Sequence, residues 1–154
     1  MLVMKFGGSS VSTPENIKRV IEIVRKKKDE FETVVVVCSA FGGITDQLIK
    51  AGKLAEARDE DYKKQFELIK KRHLETAEVL VQTADKEAVM AELVEGLQNV
   101  EMLLNGIHLL QELPERALAQ LTSYGERLSC FIVASAMRSN DLSAMYVNAT
   151  QLIK

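Results

Sequence analysis

Cysteine is scarce in this chain, and long apolar runs are missing from it. Only two of the 154 residues are cysteines, Cys38 and Cys130, and they form no CxxC pair. Two isolated cysteines provide no disulfide framework, so a reducing compartment is the default interpretation. No apolar stretch approaches the roughly 20 residues that a membrane-spanning helix needs, and Lys5 interrupts the first apolar run too early for a secretory signal. We therefore predict a cytoplasmic protein with no membrane partner.

The chain also lacks an excess of positive charge. Its 20 lysines and arginines are outnumbered by 22 aspartates and glutamates, which leaves a formal net charge of -2. Because non-specific binding to nucleic acid depends on bulk positive charge, we predict no nucleic-acid partner. A small anionic ligand is still compatible with this charge, since it needs only a few local donors. The apolar share of 47% fits an ordinary globular protein, and 154 residues suffice for one domain with a core.

The N-terminal part of the chain repeats one order of elements, which is strand, Gly/Ser loop and helix. An apolar run over Met1–Lys5 predicts the first strand, and the loop Phe6–Ser10 follows it. The run TVVVVC over Thr33–Cys38 predicts a second strand, and it is apolar on both faces, as is typical of a buried strand in a parallel sheet. The loop Ser39–Gly43 follows that strand. Two such units in one sheet are joined by a right-handed crossover, and because their strands are then parallel, both loops should lie at the carboxyl edge of that sheet.

The first helix has two alternative start signals. Thr13 can cap it with Pro14 at the first helical position, or Ser12 can form a capping box with Glu15. The apolar pattern carries this helix to about Lys28.

Helical patterns also account for most of the remaining chain. The predicted helices run over Ile44–Ala57, Asp59–Val81, Asp85–Leu110 and Leu113–Arg138. The second and third of these should form a long antiparallel hairpin. The segment SAMYVN over Ser143–Asn148 predicts a third strand. Because no closing element follows that strand, we interpret the chain as a truncated domain.

The first loop carries the clearest chemical signal. Gly7 and Gly8 leave backbone N–H groups bare, so a phosphate can approach them closely, and the helix behind the loop adds a favourable dipole. Lys5, at the end of the strand, can reach over the loop as a point charge. The pattern is neither GxxxxGK[ST] nor GxGxxG, so neither the common NTPase loop nor the dinucleotide fingerprint applies. A plain tight turn with a surface lysine is the alternative.

The second loop brings further polar groups to the same edge. Ser39, Gly42, Gly43 and Thr45 offer hydroxyl and N–H groups that suit a small polar ligand. Ordinary turn and cap chemistry would use the same residues. The two loops together are more informative than either alone, because the topology makes them neighbours.

Glu126 lies just before an apolar stretch of the last helix, Leu128–Met137, so we predict that it is partly buried. A partly buried carboxylate needs a partner, which could be a substrate ammonium group, Arg127 or Lys5. Its neighbour Gly125 costs about 1 kcal/mol against alanine inside a helix, which indicates the close approach of another element. The alternative is an ordinary solvated glutamate.

The remaining polar residues are assigned structural roles. His73 and His108 have no second ligand-type residue at metal spacing, so we predict that neither binds a metal. Cys38 and Cys130 should behave as small buried hydrophobic residues. The charges between positions 56 and 78 are most simply a solvated helix face.

Three motifs, in this order, resemble those of the aspartate kinases. The segment KFGGSSV over Lys5–Val11 resembles the opening signature of that family, and Val37–Ala40 with Thr45 resembles its second loop. The segment SYGERLS over Ser123–Ser129 resembles its third motif. More weakly, LLNGIHLL over Leu103–Leu110 resembles the kinase part of bifunctional aspartokinase/homoserine dehydrogenases. Together these motifs span nearly the whole chain.

The resemblance implies a fold and an activity. The fold is an α/β/α sandwich of the amino-acid-kinase type with a mostly parallel sheet, of which residues 1–154 form the N-terminal portion of the catalytic domain. The activity is phosphorylation of the side-chain carboxylate of L-aspartate by ATP with Mg²⁺, which gives 4-phospho-L-aspartate on the route to lysine, threonine and methionine. The resemblance also implies a homo-oligomer in the full-length protein.

The resemblance also implies a role for each site residue. They are Lys5 as the catalytic residue, Gly7, Gly8 and Ser9 for the ATP phosphates, and Ser39, Thr45 and Glu126 for aspartate, whose ammonium group Glu126 takes. The family's later Gly-rich motif with an arginine and an aspartate is absent, so we expect the chain to be inactive alone. Two alternatives stay open: another amino-acid or carbamate kinase, and a non-catalytic helical dimerisation module built on the hairpin.

Overall fold

The computed structural model describes residues 1–82 and 84–151. Within these ranges it contains two β-strands, five α-helices and one short 3-10 helix. In chain order they are β1 (Leu2–Phe6), α1 (Pro14–Glu30), β2 (Val34–Cys38), α2 (Ile44–Glu56), α3 (Asp61–Leu80), α4 (Lys86–Leu110), α5 (Glu115–Arg138) and the 3-10 helix Ala149–Gln151. The strand, loop and helix order predicted twice for the N-terminal part is confirmed.

The two strands form a parallel pair. Leu2 lies opposite Val34 and Phe6 lies opposite Cys38, so both strands end at the same edge. The side chains of Met4 and Val36 pack against the hydrophobic core from one face of this sheet. The predicted parallel sheet of an α/β fold is therefore present.

The opposite face of the sheet is open within the described residues. Val3, Val35 and Val37 are 58%, 41% and 45% exposed on that face. The prediction that β2 is buried on both faces is therefore wrong for this chain, because the described helices pack only against the face that carries Met4 and Val36. The described residues therefore build two layers of the predicted α/β/α sandwich, which are the sheet and the helices on the face that carries Met4 and Val36.

The start of α1 is capped by the first of the two predicted arrangements. The Thr13 hydroxyl oxygen accepts a hydrogen bond from the Asn16 N–H at 3.2 Å, and Pro14 occupies the first helical position. Ser12 does not form a capping box, because its hydroxyl donates to the carbonyl oxygen of Ser9 at 2.8 Å. The Asn16 side-chain amide donates to the same Ser9 oxygen at 3.0 Å. The cap of α1 thus also fixes the end of the first loop.

The predicted hairpin of α3 and α4 is confirmed. At one end, the Tyr62 hydroxyl donates to the side-chain oxygen of Asn105 at 2.8 Å. At the other end, the ammonium group of Lys86 lies 2.6 Å from a carboxylate oxygen of Glu78. The two helices are therefore antiparallel. No helix among the described residues is both long and apolar enough to cross a membrane.

Helix α5 is the central helix of the core. It contacts α2, α3, α4, α1 and β2, and its residues from Phe131 to Met137 are all buried. The prediction of an apolar, buried second half is confirmed. Because α5 contacts nearly every other element, its register decides where the residues of its first half lie.

The predicted third strand is wrong. Positions 142–148 carry no regular secondary structure, and no strand within the described ranges pairs with them. Leu142, Ala144 and Tyr146 pack against the core while the residues between them are exposed, which is the alternation that suggested a strand. The side-chain pattern of a strand is present, but its hydrogen-bonded neighbour is not.

Gly125 is the point where α5 comes closest to the second loop. A Cβ added there would lie 3.1 Å from the Cβ of Ala40 and 3.1 Å from a methyl carbon of Leu48. The predicted close approach of another element is confirmed.

We expect Gly125→Ala to lower the free energy of unfolding by about 1 kcal/mol in urea denaturation. Overpacking costs about 1–3 kcal/mol, and the better helix propensity of alanine returns only about 1 kcal/mol.

Gly106 provides the matched control in α4. A Cβ added at Gly106 meets no atom within 4 Å. Gly106→Ala should therefore raise the free energy of unfolding by up to about 1 kcal/mol. If both variants were equally stabilised, the contact between α5 and the second loop would be looser than described.

Candidate functional site

The two glycine loops meet at the carboxyl edge of the sheet. The Ser39 N–H donates to the carbonyl oxygen of Phe6 at 3.0 Å, which extends the strand pairing into the loops. Beyond it the loops touch: a Cβ added to Gly42 would lie 3.3 Å from the carbonyl oxygen of Gly8, and one added to Gly8 would lie 3.0 Å from that of Ala40. Side chains at these two glycines would push the loops apart.

The first loop leaves several backbone donors unused. In the described ranges, no hydrogen bond uses the N–H group of Gly7, Gly8 or Ser9. The loop is closed instead by the Ser10 N–H, which donates to the carbonyl oxygen of Gly7 at 2.9 Å. Lys5 is exposed and belongs to no ion pair among the described residues. Three free N–H donors and one free cation near them suit a phosphate group.

The second loop delivers the N-terminus of α2 to the same edge. Gly43 has φ of 83°, a left-handed conformation that glycine adopts without strain, and α2 begins immediately after it. Thr45 is exposed in the first turn. No described side chain caps this helix, so its first N–H groups and its dipole favour a negatively charged ligand group.

Helix α5 is tied to the end of β2 and to the start of the second loop by two hydrogen bonds. The Ser129 hydroxyl donates to the carbonyl oxygen of Ser39 at 2.6 Å, and the Cys130 thiol donates to that of Cys38 at 3.3 Å. Glu126 lies one helical turn before Ser129, whose hydroxyl is also 3.1 Å from the Glu126 carbonyl oxygen. This arrangement places the backbone of Glu126 beside the second loop.

The prediction that Glu126 is partly buried is wrong. Its side chain is exposed, because Gly125 and Ser129 occupy the part of α5 that faces the loop. Neither of the proposed internal partners binds it within the described residues. The guanidinium group of Arg127 lies over the ring of Tyr124, 4.3 Å from its centroid. The Glu126 carboxylate thus remains available to a ligand.

Arg72 is a residue of this region that the sequence did not indicate. It is half-buried on α3, and its guanidinium group donates to the carbonyl oxygens of Gly42 at 2.7 Å and of Ser12 at 3.0 Å. The prediction that the charges between positions 56 and 78 form a solvated face is therefore wrong for this residue. Its partners are 30 and 60 positions away in the chain, so no local pattern could have revealed the contact.

His73 supports the second loop from inside the core. It is fully buried, its ring stacks on that of Phe41 with centroids 5.1 Å apart, and its Nδ1 lies 2.8 Å from the carbonyl oxygen of Ile69. Burial lowers the pKa of His73 to about 4, and the charge of Arg72 acts in the same direction. Among the described residues, no group of three or more metal-ligating side chains occurs.

The two cysteines lie close together behind the loop. Cys38 is buried and Cys130 is half-buried, and both are free thiols. A hydrogen bond with Cys130 and burial raise the pKa of the Cys38 thiol. Cys38 is the small buried residue that was predicted, whereas Cys130 keeps partial exposure.

A pair of glycine loops with unused donors, placed beside an exposed lysine at one sheet edge, defines an α/β protein with a candidate anion-binding site. The sequence model of the amino acid kinase family matches residues 1–154, and the chain belongs to this family. Its α/β fold class, predicted from the sequence, is confirmed.

Individual relatives support the resemblance to the aspartate kinases. The aspartokinase of Candida albicans is 31% identical, with 99% of this chain and 28% of that protein covered. Bifunctional aspartokinase/homoserine dehydrogenase 1, chloroplastic, from Arabidopsis thaliana is 28% identical over 98% of this chain and 16% of its own length. A solved structure of E. coli aspartokinase III in complex with aspartate and ADP has a TM-score of 0.76 and 26% identity, covering 92% of this chain and 29% of that one. The chain thus spans less than a third of the length of these relatives.

The buried imidazole of His73 should make stability depend on pH. Because the unfolded chain binds this proton near pH 6.5 and the folded chain only near its pKa of about 4, the free energy of unfolding should fall as the pH decreases between these values. The loss should be on the order of 3 kcal/mol at the lower end. Urea denaturation of the wild type and His73→Gln from pH 7.5 to 4.5 checks this.

Carboxylates titrate in both the wild type and His73→Gln. The difference between their pH curves therefore isolates the contribution of His73 to stability. The variant should start less stable at pH 7.5 and lose less stability on acidification. Parallel pH curves for the two proteins would show that the burial of His73 does not control its protonation.

Proposed function

We propose that this chain is the N-terminal portion of an aspartate kinase catalytic domain. The proposed reaction is the ATP-dependent phosphorylation of the side-chain carboxylate of L-aspartate to 4-phospho-L-aspartate. The observation that carries the proposal is the packed pair of glycine loops with unused N–H donors, which follows the exposed Lys5 and contacts α5 at Gly125, next to the exposed Glu126. The similarity of this chain to aspartokinases over nearly the whole length of the chain supports the choice of substrate.

The first loop suits the phosphates of ATP. The N–H groups of Gly7, Gly8 and Ser9 have no acceptor among the described residues, and phosphate oxygens would supply three. Gly7 is exposed, and the space where its Cβ would be is empty, so a phosphate could come close to the backbone. The ammonium group of Lys5 would add the positive charge that a phosphate group attracts.

The second loop and α5 suit aspartate, which carries two carboxylates and one ammonium group. The hydroxyl groups of Ser39 and Thr45, with the uncapped N-terminus of α2, would bind a carboxylate. The exposed carboxylate of Glu126 would bind the ammonium group. The site would thus offer donors for a carboxylate of aspartate and one carboxylate for its ammonium group.

The chemistry is a transfer of the terminal phosphoryl group of ATP. An oxygen of the aspartate side chain bonds to the γ-phosphorus while the bond to the bridging oxygen of ADP breaks. Negative charge shifts between phosphate oxygens during this step, and a fixed cation such as Lys5 stabilises the transition state more than the ground state. The proposed role of the protein is therefore positioning and charge neutralisation.

Magnesium would accompany the nucleotide. Mg²⁺ in kinases is held largely by substrate phosphates with one or two carboxylates, and it would neutralise phosphate charge. Among the described residues, no cluster of three metal-type ligands is present. We therefore assign no residue of this chain to the metal.

Cytoplasmic location and a homo-oligomeric state remain predictions. The exposed apolar residues of the helical hairpin, such as Leu68, Val79 and Met102, offer some surface for association. These side chains support the alternative of a dimerisation module only weakly. That alternative gives no role to the unused N–H donors of the glycine loops.

Removal of Lys5 tests the catalytic role. In a full-length protein that contains this chain, we expect Lys5→Ala to lower kcat by a factor on the order of 100 or more, the scale of losing one pre-organised donor. The KM for aspartate should change less, because Lys5 does not contact aspartate in this proposal. Lys50→Ala, at an exposed lysine of α2, is the control and should keep wild-type turnover. Unchanged turnover in Lys5→Ala would leave Lys5 as a surface lysine beside a turn.

Removal of the Glu126 charge tests the substrate. We expect Glu126→Gln to raise the KM for aspartate by roughly tenfold, which corresponds to about 1.4 kcal/mol, because the ammonium group of the substrate would lose its charged partner. Glu101→Gln, at an exposed glutamate of α4, is the control. Steady-state kinetics with varied aspartate, and circular dichroism for folding, provide the measurements.

A product trap separates aspartate kinase from the related alternatives. Hydroxylamine converts an acyl phosphate into a hydroxamate, which ferric ions make visible. The full-length protein should form hydroxamate with ATP and aspartate, and far less with glutamate. Preference for glutamate or carbamate would assign the chain to a different kinase, and no ATP-dependent product with any of them would favour a non-catalytic module.

A further inference from the structure

Arg72 connects the two glycine loops without belonging to either. It lies in the middle of α3, and its two terminal nitrogens donate separately: one to the carbonyl oxygen of Gly42 in the second loop, the other to that of Ser12 after the first loop. The distances are 2.7 Å and 3.0 Å, which are good hydrogen bonds. A single side chain thus spans both strand–loop–helix units.

The carbonyl oxygens of Gly42 and Ser12 depend on Arg72 for their hydrogen bonds. Within the described ranges, no other donor binds the carbonyl oxygen of Gly42 or that of Ser12. Both bonds are partly buried, so loss of the donor would leave two poorly hydrated carbonyl groups. Arg72 also forms no ion pair with a carboxylate among the described residues. Its hydrogen bonds are to the loops rather than to a neighbour on the helix surface.

The position of Arg72 is itself fixed by its neighbours. His73 packs against Phe41 of the second loop, and the Thr76 hydroxyl donates to the carbonyl oxygen of Arg72 at 2.7 Å. The planar guanidinium group has separate N–H groups that can bind two acceptors at once, whereas a lysine ammonium group at the end of a flexible stem holds such a pair less rigidly. The residue type therefore matches the task of holding two carbonyl groups at a set spacing.

We propose that Arg72 is a positioning residue that sets the spacing between the first loop, which is proposed to bind phosphate, and the second loop, which is proposed to bind aspartate. This inference rests on the proposed function, because spacing matters only if the two loops bind two reacting substrates. Phosphoryl transfer needs the attacking oxygen in line with the phosphorus, and a displacement of about 1 Å can cost 10²-fold in rate. Arg72 acts on the reaction through the loops and contacts neither substrate.

The first test measures the loops directly in the 154-residue chain, without any substrate. Four amide protons report on them through the hydrogen bonds that the loops make: Ser10 to Gly7, Ser12 to Ser9, Ser39 to Phe6, and Ile44 to Phe41. In Arg72→Met, hydrogen exchange at these amides should speed up at least tenfold, while amides in the middle of α4 keep wild-type exchange. Lys71→Met, which changes the exposed neighbour paired with Glu75, is the matched control and should leave all of them unchanged.

Exchange results can overturn the proposal in two ways. Unchanged exchange in the loops would show that Arg72 does not hold them. Equal acceleration in the loops and in α4 would show that Arg72 supports the whole fold and has no specific positioning role. If Arg72→Met does not fold, Arg72→Lys takes its place, with a smaller but equally localised acceleration expected.

The second test measures turnover in a full-length protein that contains the chain. Arg72→Met should lower kcat by ten- to a hundredfold at saturating ATP and aspartate, Arg72→Lys should recover part of it, and Lys71→Met should match the wild type. A loss in Lys5→Ala but none in Arg72→Met would overturn the positioning role and leave the proposed function standing. No loss in either variant would overturn the positioning role of Arg72 and the catalytic role of Lys5, whereas only the absence of ATP- and aspartate-dependent turnover in the wild type would overturn the proposed function.

Discussion

The contact between the two glycine loops is the constraint on which the rest of this structure depends. Parallel pairing ends both strands at one edge, and the backbone of Gly8 then lies so close to that of Gly42 that an added Cβ would crowd it. Helix α5 reaches the same place because Gly125 lets it approach Ala40. The two loops and α5 therefore converge, and at each of these glycines an added Cβ would crowd its neighbour.

These contacts distinguish glycines whose added Cβ would crowd a neighbour from glycines, such as Gly7, whose added Cβ would not. Gly8, Gly42 and Gly125 each have a neighbour that a Cβ would crowd, so packing alone explains them. Gly7 has no atom within 4 Å of its missing Cβ and no left-handed backbone that would require glycine. No packing or conformational reason accounts for glycine at this position. The open backbone at Gly7 leaves space for a phosphate to approach the first loop, as the proposed function requires.

Local patterns predicted much of this arrangement, and long-range contacts account for what they missed. Cap chemistry offered two starts for α1, of which the one at Thr13 and Pro14 is observed, and the helical cost of Gly125 correctly indicated a close neighbour. The hydrophobic alternation after α5 was read as a strand, but a strand also needs a partner, which the pattern of one segment cannot reveal. Arg72 was missed for the same reason, since its acceptors lie far away in the sequence and its own segment looks like any charged helix face.

The candidate site residues share one local feature, which explains how exposed groups can be held precisely. Lys5 lies between Met4 and Phe6, whose side chains pack against the core, and Thr45 follows the fully buried Ile44. Glu126 likewise follows the buried Gly125. The backbone of each exposed residue is thereby fixed by a buried neighbour, while its own polar group keeps full access to solvent and to ligands. The exposure that contradicts the burial prediction suits the role proposed for Glu126, because a carboxylate with no partner among the described residues could be neutralised by the ammonium group of a ligand.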